Sequence, residues 1–354
     1  MQRHGGISRY FTKLALELAS LNQEVKIFGG LYQNNYLSDL GDELVSGKGI
    51  TKYPKKTGFI VNRVNHIFTQ QQILNFSPDI IHETYYSIPK PRQSNCPRIV
   101  TVYDMIHELF PSSFPKNDPY SKLKRKALER ADHIISISEN TKKDLINLFD
   151  ISPSKIDVVH LGVDLPEIEK LENPISSKPY LLYVGARNEY KNFDLLIHCF
   201  LENPSLLDEY NLVAFGGGEF KADEKRLISK LGAQRNQIIH KSGSDQELWQ
   251  LYSHATVFIY PSKYEGFGLP PLEAMSLNCP VISSNSSSMP EVIVEAAEFF
   301  NPNDQNDLFR AISNVTSSKN RQEELRALGR KRIEKLSWGN CAKKTLDIYK
   351  TLQR

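Results

Sequence analysis

The sequence predicts an α/β protein made of two Rossmann-like domains, and three observations lead to that fold class. Short apolar runs typical of buried parallel strands alternate with helical patterns along the whole chain. The alternation occurs twice, once in each half. The length of 354 residues allows two domains of ordinary size, and a hydrophobic content of 40% is sufficient to build their cores.

The first predicted domain covers residues 1–165 and begins with a helix. Five apolar side chains recur there at helical spacing: Ile7, Tyr10, Phe11, Leu14 and Leu18. Predicted strands follow at residues 25–28, 80–81, 99–102, 134–137 and 158–161. Residues 164–178 combine proline, charge and serine without sustained periodicity, which predicts the linker between the two domains.

The second predicted domain covers residues 179–336 and repeats the pattern. Its predicted strands are residues 180–184, 212–215, 237–240, 257–260 and 281–283. A last helix within residues 337–354 presents one apolar side, formed by Ala342, Leu346, Tyr349 and Leu352. The chain thus reads as two sheets joined by one linker and followed by a terminal helix.

The start of the first domain departs from this pattern. A Rossmann-like domain opens with a strand, and its glycine-rich turn follows that strand. Here Gly5 and Gly6 come directly after the first four residues, which leaves no room for a strand. We expect an N-terminal sheet that lacks its first, central strand, exposes apolar edges and is destabilised. Our hypothesis for the cause is a misplaced start or a trimmed gene product, which in-frame codons for an apolar strand upstream would support.

Residues 265–273, EGFGLPPLE, form the most informative segment of the chain. Gly266 and Gly268 allow the backbone to approach a ligand closely, because they have no Cβ. The Pro-Pro pair that follows marks the start of a helix. The free amides near Phe267, Gly268 and Leu269 therefore predict an anion site.

Two carboxylates bracket this loop. Glu265 precedes it and Glu273 lies in the first turn of the predicted helix, so both can accept hydrogen bonds from hydroxyl groups around a bound phosphate. A nucleotide sugar offers hydroxyl groups and phosphate together. The alternative interpretation is a Gly-Pro turn followed by a helix whose early glutamate complements the helix dipole.

A second cluster follows the first predicted strand of the second domain. Gly185 opens a loop from which Arg187 and Lys191 project, at the edge where sheets of this type bind ligands. A guanidinium and an ammonium suit a diphosphate leaving group there, although two solvated surface cations are the alternative. After the next strand, Gly216 and Gly217 either admit a nucleotide base or form an ordinary tight turn.

A series of motifs covers essentially the whole chain: HGGISRYF, DIIHETYYS, TVYDMIHELFP, ISISENTKKDL, VVHLGVD, YVGARNEYKN, FGGGE, YPSKYEGFGLPPLEAMSLNCPVISSNSSSMPEV and LSWGNCAKKTLDIY. On these motifs the sequence resembles family four, group 1, of the retaining glycosyltransferases. The resemblance implies the GT-B architecture, in which two Rossmann-like domains face each other across a cleft and the final helix packs back on the N-terminal domain. HGGISRYF and YDMIHELFP are most similar to bacterial mannosyltransferases that build O-antigen or capsular polysaccharide.

The resemblance also implies roles in the C-terminal domain, where the nucleotide sugar binds. Arg187 and Lys191, together with the amides of the glycine-rich loop, stabilise the charge that develops on the departing diphosphate. Glu265 holds hydroxyl groups of the donor sugar, and Glu273 holds those of the ribose. No protein nucleophile is implied, and the leaving phosphate itself takes the acceptor proton on the same face.

The N-terminal domain is expected to supply the acceptor side. The resemblance implies that Gly5 and Gly6 approach the phosphate and that Asp104 and His107 contact donor or acceptor. Many relatives have His-Asp where this chain has Tyr-Asp, so His107 either replaces the usual histidine or is a structural hydrogen-bonding residue. His82 has the same two interpretations.

We expect a reaction without metal or organic cofactor, because the chain has no Asp-x-Asp pair to hold a metal on the diphosphate. The predicted partners are the nucleotide sugar, as substrate, and a growing glycan or lipid-linked acceptor. The predicted donor is GDP-mannose, which rests on the similarity to mannosyltransferases. The predicted function is hexose transfer in the synthesis of a cell-surface polysaccharide.

Composition argues against several other classes of protein. No apolar run approaches the ~20 residues of a membrane-spanning helix, no signal peptide is recognisable, and a net charge of +3 gives no case for nucleic-acid binding. The four cysteines follow no metal spacing, which favours free thiols in the cytoplasm. A basic cluster is either a solvated helix face or a peripheral contact with the inner face of the cell membrane. It consists of Lys116, Lys122, Lys124, Arg125, Lys126 and Arg130.

Three other functions remain open from sequence. A sugar-nucleotide epimerase shares the expected fold but needs acid–base residues around the sugar C2, which the block at 265–273 does not obviously supply. A nicotinamide-dependent dehydrogenase needs the third glycine of the dinucleotide fingerprint, which GGGEFK lacks. A non-catalytic glycan-binding protein would bind sugar tightly without releasing a nucleotide.

Overall fold

The structure, a computed structural model, describes residues 6–51, 53, 57–86, 96–166 and 178–353. Within these residues every strand pair is parallel, and the strands form sheets of two, four and six members. Helices lie between most successive strands, which confirms the predicted α/β class. Most of the predicted linker at 164–178 lies outside the described residues.

We call residues 6–166 the N-terminal half. The strands found in its described part are β1 (Ile27–Tyr32), β2 (Val45–Gly49), β3 (Ile81–Glu83), β4 (Arg98–Val102), β5 (His133–Ser136) and β6 (Ile156–Val158). The α-helices found there are α1 (Gly6–Ser20), α2 (Asn35–Ser38), α3 (Gly58–Phe76), α4 (Ile106–Leu109), α5 (Tyr120–Arg130) and α6 (Glu139–Phe149). All five predicted strands overlap an observed one, although the overlap at 25–28, 80–81 and 158–161 is partial.

The differences in this half have local causes. β1 continues through Gly29 and Gly30 instead of ending before them, because a bulge with a φ of 59° at Gly30 accommodates the pair within the strand. β2 was not predicted, because its sequence VSGKG contains a single large apolar residue. Pairing with a neighbour, rather than local propensity, defines this strand.

The N-terminal sheet is interrupted. β1 pairs with β2, whereas β3, β4, β5 and β6 form a separate sheet in that order, and no ladder joins the two among the described residues. In a Rossmann-like domain the position between β1 and β3 belongs to the strand that precedes α1. Residues 1–5, which precede α1, lie outside the described residues, so the absence of the first strand stays a prediction.

We call residues 178–336 the C-terminal half. Its strands are β7 (Tyr180–Val184), β8 (Asn211–Phe215), β9 (Ile238–Lys241), β10 (Val257–Tyr260), β11 (Val281–Ser284) and β12 (Glu298–Phe300). Its helices are α7 (Phe193–Glu202), α8 (Ser205–Glu209), α9 (Ala222–Ser229), α10 (Asp245–His254), α11 (Leu269–Ser276), α12 (Met289–Ile293), α13 (Gln305–Thr316) and α14 (Lys319–Ile333). The five predicted strands agree within one residue at each end, and only the three-residue β12 was missed.

The order of these strands places a ligand site. They run β12-β11-β10-β7-β8-β9, so the chain passes from β7 to β8 and β9 on one side and then crosses to β10 on the other side of β7. Open parallel sheets bind ligands at the carboxyl ends of two such strands. The loops that follow β7 and β10 contain the two clusters singled out from the sequence.

The terminal helix α15 (Trp338–Leu352) packs against α1 of the N-terminal half. The rings of Tyr10 and Trp338 lie 6.2 Å apart. The hydroxyl of Tyr349 lies 2.6 Å from Nδ1 of His82, and Nε2 of that histidine lies 2.7 Å from the hydroxyl of Thr101. Of the two interpretations of His82, the structure favours the structural one, since both ring nitrogens have partners inside the fold.

Candidate active site

The block at residues 265–273 occupies the loop after β10 and the start of α11. Gly268 caps this helix with a φ of 99°, a left-handed conformation that favours glycine. The helix begins at Leu269, and the two prolines that follow have no N–H. The amides of Gly268 and Leu269, next to the buried Phe267, donate to no protein acceptor in the described part of the chain. The loop therefore offers backbone amides to an anion.

Gly266 brings this loop into contact with the N-terminal half. A Cβ at this position would overlap the carbonyl oxygen of Tyr103, so only glycine permits the approach. The hydroxyl of Ser138 donates to the Gly266 carbonyl over 2.7 Å, and that of Thr141 does so over 3.4 Å. Ser138 also caps α6. The two halves are thus in direct contact at the middle of the block.

Glu265 lies beside the second predicted cluster. Lys191 Nζ donates to Glu265 Oε1 over 2.6 Å and lies 3.4 Å from the hydroxyl of Tyr260. The backbone of Glu265 is held by two serines that follow β11, since Ser287 and Ser288 both donate to its carbonyl. The loops after β7 and β10 therefore meet at the Lys191–Glu265 ion pair, and the two serines hold the backbone of Glu265 in place.

Arg187 does not face the cleft in this structure. Its side chain is 1% exposed, and its Nε donates to Glu224 over 2.8 Å. The terminal nitrogens donate to the carbonyls of Gly216, Gly218 and Glu219. Four of the five N–H donors are thereby used, so Arg187 fixes the loop after β8. In this structure the Arg187 side chain is therefore not oriented toward a diphosphate, contrary to the expectation from sequence. A direct contact of Arg187 with a bound phosphate stays a prediction.

The other predicted glycines of this half lie around that guanidinium. Gly216 and Gly217 both have positive φ, and the Cβ position of Gly217 is 2.9 Å from Arg187 Nη1. Gly185 has no atom within 4 Å of its Cβ position, so the loop after β7 borders open space. The structure shows the tight turn; contact of these residues with a nucleotide base remains a prediction.

Gly6 places the start of α1 opposite the start of α11. Its Cβ position lies 4.0 Å from Leu269 Cδ1. Two helix N-termini, one from each half, therefore converge at the cleft, and each presents a partial positive charge there. Gly5 lies outside the described residues.

Glu273 lies one turn further along α11 than expected, because the helix begins at Leu269 and Glu273 is its fifth residue. Its Oε1 accepts a hydrogen bond of 2.8 Å from Arg9 of the N-terminal half. Arg9 also pairs with Asp164. Sequence reasoning missed Arg9 and Asp164, although Arg9 lies one helical turn after the glycine pair in HGGISRYF.

Asp104 lies at the contact between the halves. Its Oδ1 accepts the backbone N–H of Ile106 over 3.0 Å, and its Oδ2 accepts no hydrogen bond from the described residues. Its Cβ is 3.0 Å from the Cβ position of Gly266. The structure therefore places Asp104 next to the block at 265–273. This position is the one required of a residue that contacts donor or acceptor.

His107 lies apart from that contact. Its ring is stacked between Phe114 and Tyr120, with centroid distances of 3.7 and 3.9 Å, and its Nε2 lies 3.2 Å from Asp118. Burial lowers the pKa of His107 below its usual value. Its ring contacts within the described residues are all to the N-terminal half, which favours the structural interpretation over the catalytic one.

The predicted basic cluster divides into two sets. Lys124 is fully buried and donates to Glu108 over 2.7 Å, and Arg130 pairs with Glu83. The exposed members are Lys116, Lys122, Arg125 and Lys126. No helix in the described chain is long and apolar enough to cross a membrane. The same residues contain no group of three or more His, Cys, Asp or Glu side chains placed to hold a metal ion.

Family models match both halves of the chain. The model for Glycosyltransferase Family 4 matches residues 4–167, and that for glycosyl transferases group 1 matches residues 166–332. The chain is 27% identical over 318 residues to the O-antigen chain mannosyltransferase RfbU of Salmonella typhimurium, covering 88% of this chain and 87% of that protein. It is 26% identical over 375 residues to the O-antigen chain mannosyltransferase B of Escherichia coli, covering 98% and 96%. The structure of sucrose-phosphate synthase from Thermosynechococcus elongatus is similar with a TM-score of 0.74 at 20% identity, over 98% of this chain and 94% of that chain.

Proposed function

Because the chain belongs to Glycosyltransferase Family 4, group 1, we propose that it is a retaining hexosyltransferase that uses GDP-mannose as donor. The acceptor in this proposal is a growing glycan or a lipid-linked glycan of a cell-surface polysaccharide. The mannosyl donor and the acceptor class follow the names of the relatives, two of which are O-antigen chain mannosyltransferases.

The observation that carries the proposal is the convergence of charges and donors at the switch point of the six-stranded sheet. The Lys191–Glu265 pair lies there, and the open amides of Gly268 and Leu269 follow three and four residues after Glu265. Such a site combines a cation and backbone N–H groups for a diphosphate with a carboxylate for sugar hydroxyls. The start of α1 at Gly6 closes it from the other half.

The residues then divide the work of the reaction. The bond between the anomeric carbon and the phosphate oxygen breaks, and negative charge grows on the departing diphosphate. Lys191 and the amides of Gly268 and Leu269 stabilise that charge. The acceptor hydroxyl attacks from the same face, and its proton passes to the departing phosphate oxygen. Glu265 orients the sugar through its hydroxyl groups.

We further propose that transfer is independent of divalent metal. Positive charge from Lys191 and from two helix N-termini takes the place of a metal clamp on the diphosphate. The test compares the transfer rate in excess EDTA with the transfer rate in millimolar Mg²⁺, at equal ionic strength. Unchanged rates support the proposal, whereas complete loss in EDTA contradicts it.

A thermal-shift panel of GDP, UDP, ADP and dTDP tests the donor assignment. A ligand that binds the native state alone raises the melting temperature, and at about 100 times its Kd it adds roughly 2.7 kcal/mol of stability. We expect the largest shift with GDP. A preference for UDP would contradict the mannose donor while leaving the reaction class intact.

Product analysis tests the reaction class. We expect transfer of mannose from GDP-mannose to a lipid-linked glycan with α configuration at the new bond, detected by NMR of the product. The variant Glu265→Gln should lose most of this activity because an amide is a weaker acceptor for sugar hydroxyls than a carboxylate. Epimerised nucleotide sugar, or tight glycan binding without nucleotide release, would point to the alternative functions.

We also propose peripheral contact with anionic lipid through the exposed face of α5. Lys122, Arg125 and Lys126 lie on that helix and Lys116 just before it, and each adds about 1 kcal/mol of attraction close to an anionic surface. Co-sedimentation with vesicles of phosphatidylglycerol and phosphatidylethanolamine measures it. Replacement of these four residues by Gln should abolish binding, while Lys225→Gln on α9 should not.

A further inference from the structure

The two carboxylates of the block at 265–273 are both paired with cations, but the cations come from different halves. Lys191, the partner of Glu265, belongs to the same C-terminal half. Arg9, the partner of Glu273, lies on α1 of the N-terminal half, 264 residues away in sequence. The second carboxylate is therefore completed by the opposite side of the cleft.

Arg9 is itself rigidly anchored. Its Nε and Nη2 both donate to Asp164 Oδ2, over 2.7 and 2.6 Å. The other oxygen of Asp164 accepts from Lys13 over 2.9 Å and from the indole N–H of Trp338 over 3.1 Å. With these bonds made, the remaining arm of the guanidinium, Nη1, is directed at Glu273. A planar guanidinium that is held by Asp164 on one side also fixes the position of the carboxylate that it donates to on the other side, Glu273.

Glu273 keeps one oxygen for a ligand. Arg9 occupies Oε1, and Oε2 accepts no hydrogen bond from the described residues. The side chain is 16% exposed, so it borders the cleft without being freely solvated. An ionised carboxylate oxygen in that position can accept from two neighbouring hydroxyl groups, such as the 2′ and 3′ hydroxyls of a ribose.

The charge of this carboxylate depends on Arg9. Burial raises the pKa of Glu273 above its usual value, and the guanidinium of Arg9 opposes that rise. Burial by itself would lower the pKa of Arg9, but Glu273 and Asp164 outweigh it, so the pKa of Arg9 is raised and its charge is kept. Loss of Arg9 would leave a desolvated carboxylate without a cation, and a protonated Glu273 is a poorer acceptor for hydroxyl groups.

From this geometry we propose that Arg9 is a positioning residue for donor recognition: it holds Glu273 ionised and aimed at the ribose hydroxyls. The inference rests on the proposed function, because it assumes a nucleotide donor at this site. Its consequence is that the ribose site is complete only when α1 of the N-terminal half lies against α11. Nucleotide affinity should therefore be higher when the two halves are in contact than when they are apart.

A double-mutant cycle with two ligands tests the proposal. Calorimetric Kd values for GDP and for 2′,3′-dideoxy-GDP are measured with the wild type, Arg9→Ala, Glu273→Ala and the double variant. We expect Arg9→Ala to weaken GDP binding by about 10- to 100-fold, the range for leaving a buried charged partner unpaired. In the Glu273→Ala background, and with the dideoxy ligand, the same change should alter affinity by less than about twofold.

The controls separate positioning from general structure. Lys13→Ala removes a neighbouring cation from Asp164 without touching Glu273 and should leave both affinities within about twofold. Arg9→Lys serves if Arg9→Ala does not fold, and it should give an intermediate loss, because an ammonium cannot hold both carboxylates in a fork. Melting temperatures identify variants that are merely unstable.

Several results would overturn the proposal. Equal loss for GDP and for the dideoxy ligand, or loss that persists without Glu273, would show that Arg9 acts elsewhere. Unchanged or tighter GDP binding by Arg9→Ala would do the same and leave the transferase function intact. If the wild type binds UDP instead, the GDP donor is wrong and the cycle is run with UDP and its dideoxy form. If it binds neither diphosphate, both proposals fail.

Discussion

The two halves of the molecule support their sheets in different ways. In the C-terminal half six strands form one continuous sheet. One face of that sheet is covered by a core made entirely of its own residues, among them Leu196, Leu212 and Leu308. In the N-terminal half the described strands are divided between two sheets, and a core of N-terminal residues, completed by Tyr264 of the C-terminal half, covers one face of the larger sheet.

The remaining face of the N-terminal sheet borders a core that both halves share. Ile99 and Ile135 of the N-terminal half belong to the same cluster as Val213 and Phe258 of the C-terminal half and Trp338 of α15. The remaining face of the C-terminal sheet borders the same cluster, but most of the buried residues of that cluster belong to the C-terminal half. The C-terminal half is thus more nearly self-supporting, whereas the N-terminal half depends on α15 and on its partner half for this core. The proposed donor site is built mainly on the C-terminal half, and the N-terminal half lies against it.

Surface apolarity shows the same difference. Eleven large apolar side chains are exposed in the described residues, and Val294 is the one that lies in the C-terminal half. Five of them lie on α3 alone: Phe59, Ile60, Val64, Ile67 and Leu74. Exposed apolar surface of this extent is unusual for a self-contained domain. We therefore expect the N-terminal half to unfold first.

The largest effect should come from Trp338→Ala. This side chain is buried and contacts Tyr10, and its indole N–H donates to Asp164, so it joins α15 to the N-terminal half. Its loss should cost about 3–5 kcal/mol, the range for buried aromatic-to-alanine changes. Urea denaturation should then show an early transition for the N-terminal half, ahead of an unchanged second one.

The matched control for that experiment is Leu308→Ala in the core of the C-terminal half. Leu308 is fully buried, and the substitution should cost about 2–5 kcal/mol. We expect it to lower the second transition instead. If both variants shift one common transition equally, the two halves unfold as a unit and the comparison between them fails.

The next effect concerns the contact between the halves. Gly266→Ala places a methyl group against the carbonyl oxygen of Tyr103, so the block at 265–273 must move away from the N-terminal half. We expect kcat/KM for sugar transfer to fall about 100-fold, since a displacement near 1 Å is sufficient for a loss of that size. Gly58→Ala is the control and should retain full activity, because no atom of the described residues lies within 4 Å of its Cβ position.

Acid should destabilise the N-terminal half through His82. Burial lowers the pKa of His82 to about 3, so the folded protein keeps this ring neutral where the unfolded chain, with a value near 6.5, takes up a proton. The stabilisation is complete above about pH 6.5 and is lost as the pH falls toward 3. Between pH 7 and pH 5 the free energy of unfolding should drop by about 2 kcal/mol.

To measure this drop, the free energy of the first urea transition is determined at pH 7 and at pH 5 for the wild type and for His82→Gln. The variant is less stable at pH 7 but should lack this part of the acid sensitivity, because Gln does not titrate. An acid-dependent drop of the same size in the variant would mean that another group is responsible.

The sequence predicted the self-supporting half better than the dependent one, and for a physical reason. In the C-terminal half, buried parallel strands are continuous apolar runs, so residues 180–184 and 257–260 were placed without error. In the N-terminal half, β2 exists through its pairing with β1, which no local pattern records. The positions of Glu265 and Lys191 were also predictable, because loops after neighbouring strands meet at one edge.

What the sequence did not predict are pairings set by the packing of the two halves. Arg187 looked like a cleft cation, but Glu224 and three carbonyl groups hold it inside the fold. The pairing of Arg9 with Glu273 depends on how α1 meets α11. Such contacts depend on the relative placement of elements far apart in sequence, and a single sequence does not contain that information.

The smallest effect tests the edge of the self-supporting half. Glu298 on the edge strand β12 accepts from Arg310 over 2.7 Å and from Arg321 over 2.8 Å. Burial opposes ionisation, but Arg321 and Arg310 outweigh it, so the pKa of Glu298 is lowered. The two ion pairs contribute to the free energy of unfolding above the usual carboxyl pKa, and this contribution is lost as the pH falls through the lowered pKa of Glu298.

Glu298→Gln should therefore lower the second urea transition alone, by about 1 kcal/mol at pH 7, because both arginines are partly exposed and solvent screens the pair. The cost is further limited because Arg310 keeps Asp307 and Arg321 keeps Glu324 as partners. Glu323→Gln, which removes an exposed pair with Arg326, should cost less than about 0.5 kcal/mol. A shift of the first transition by Glu298→Gln would show that this edge also supports the N-terminal half.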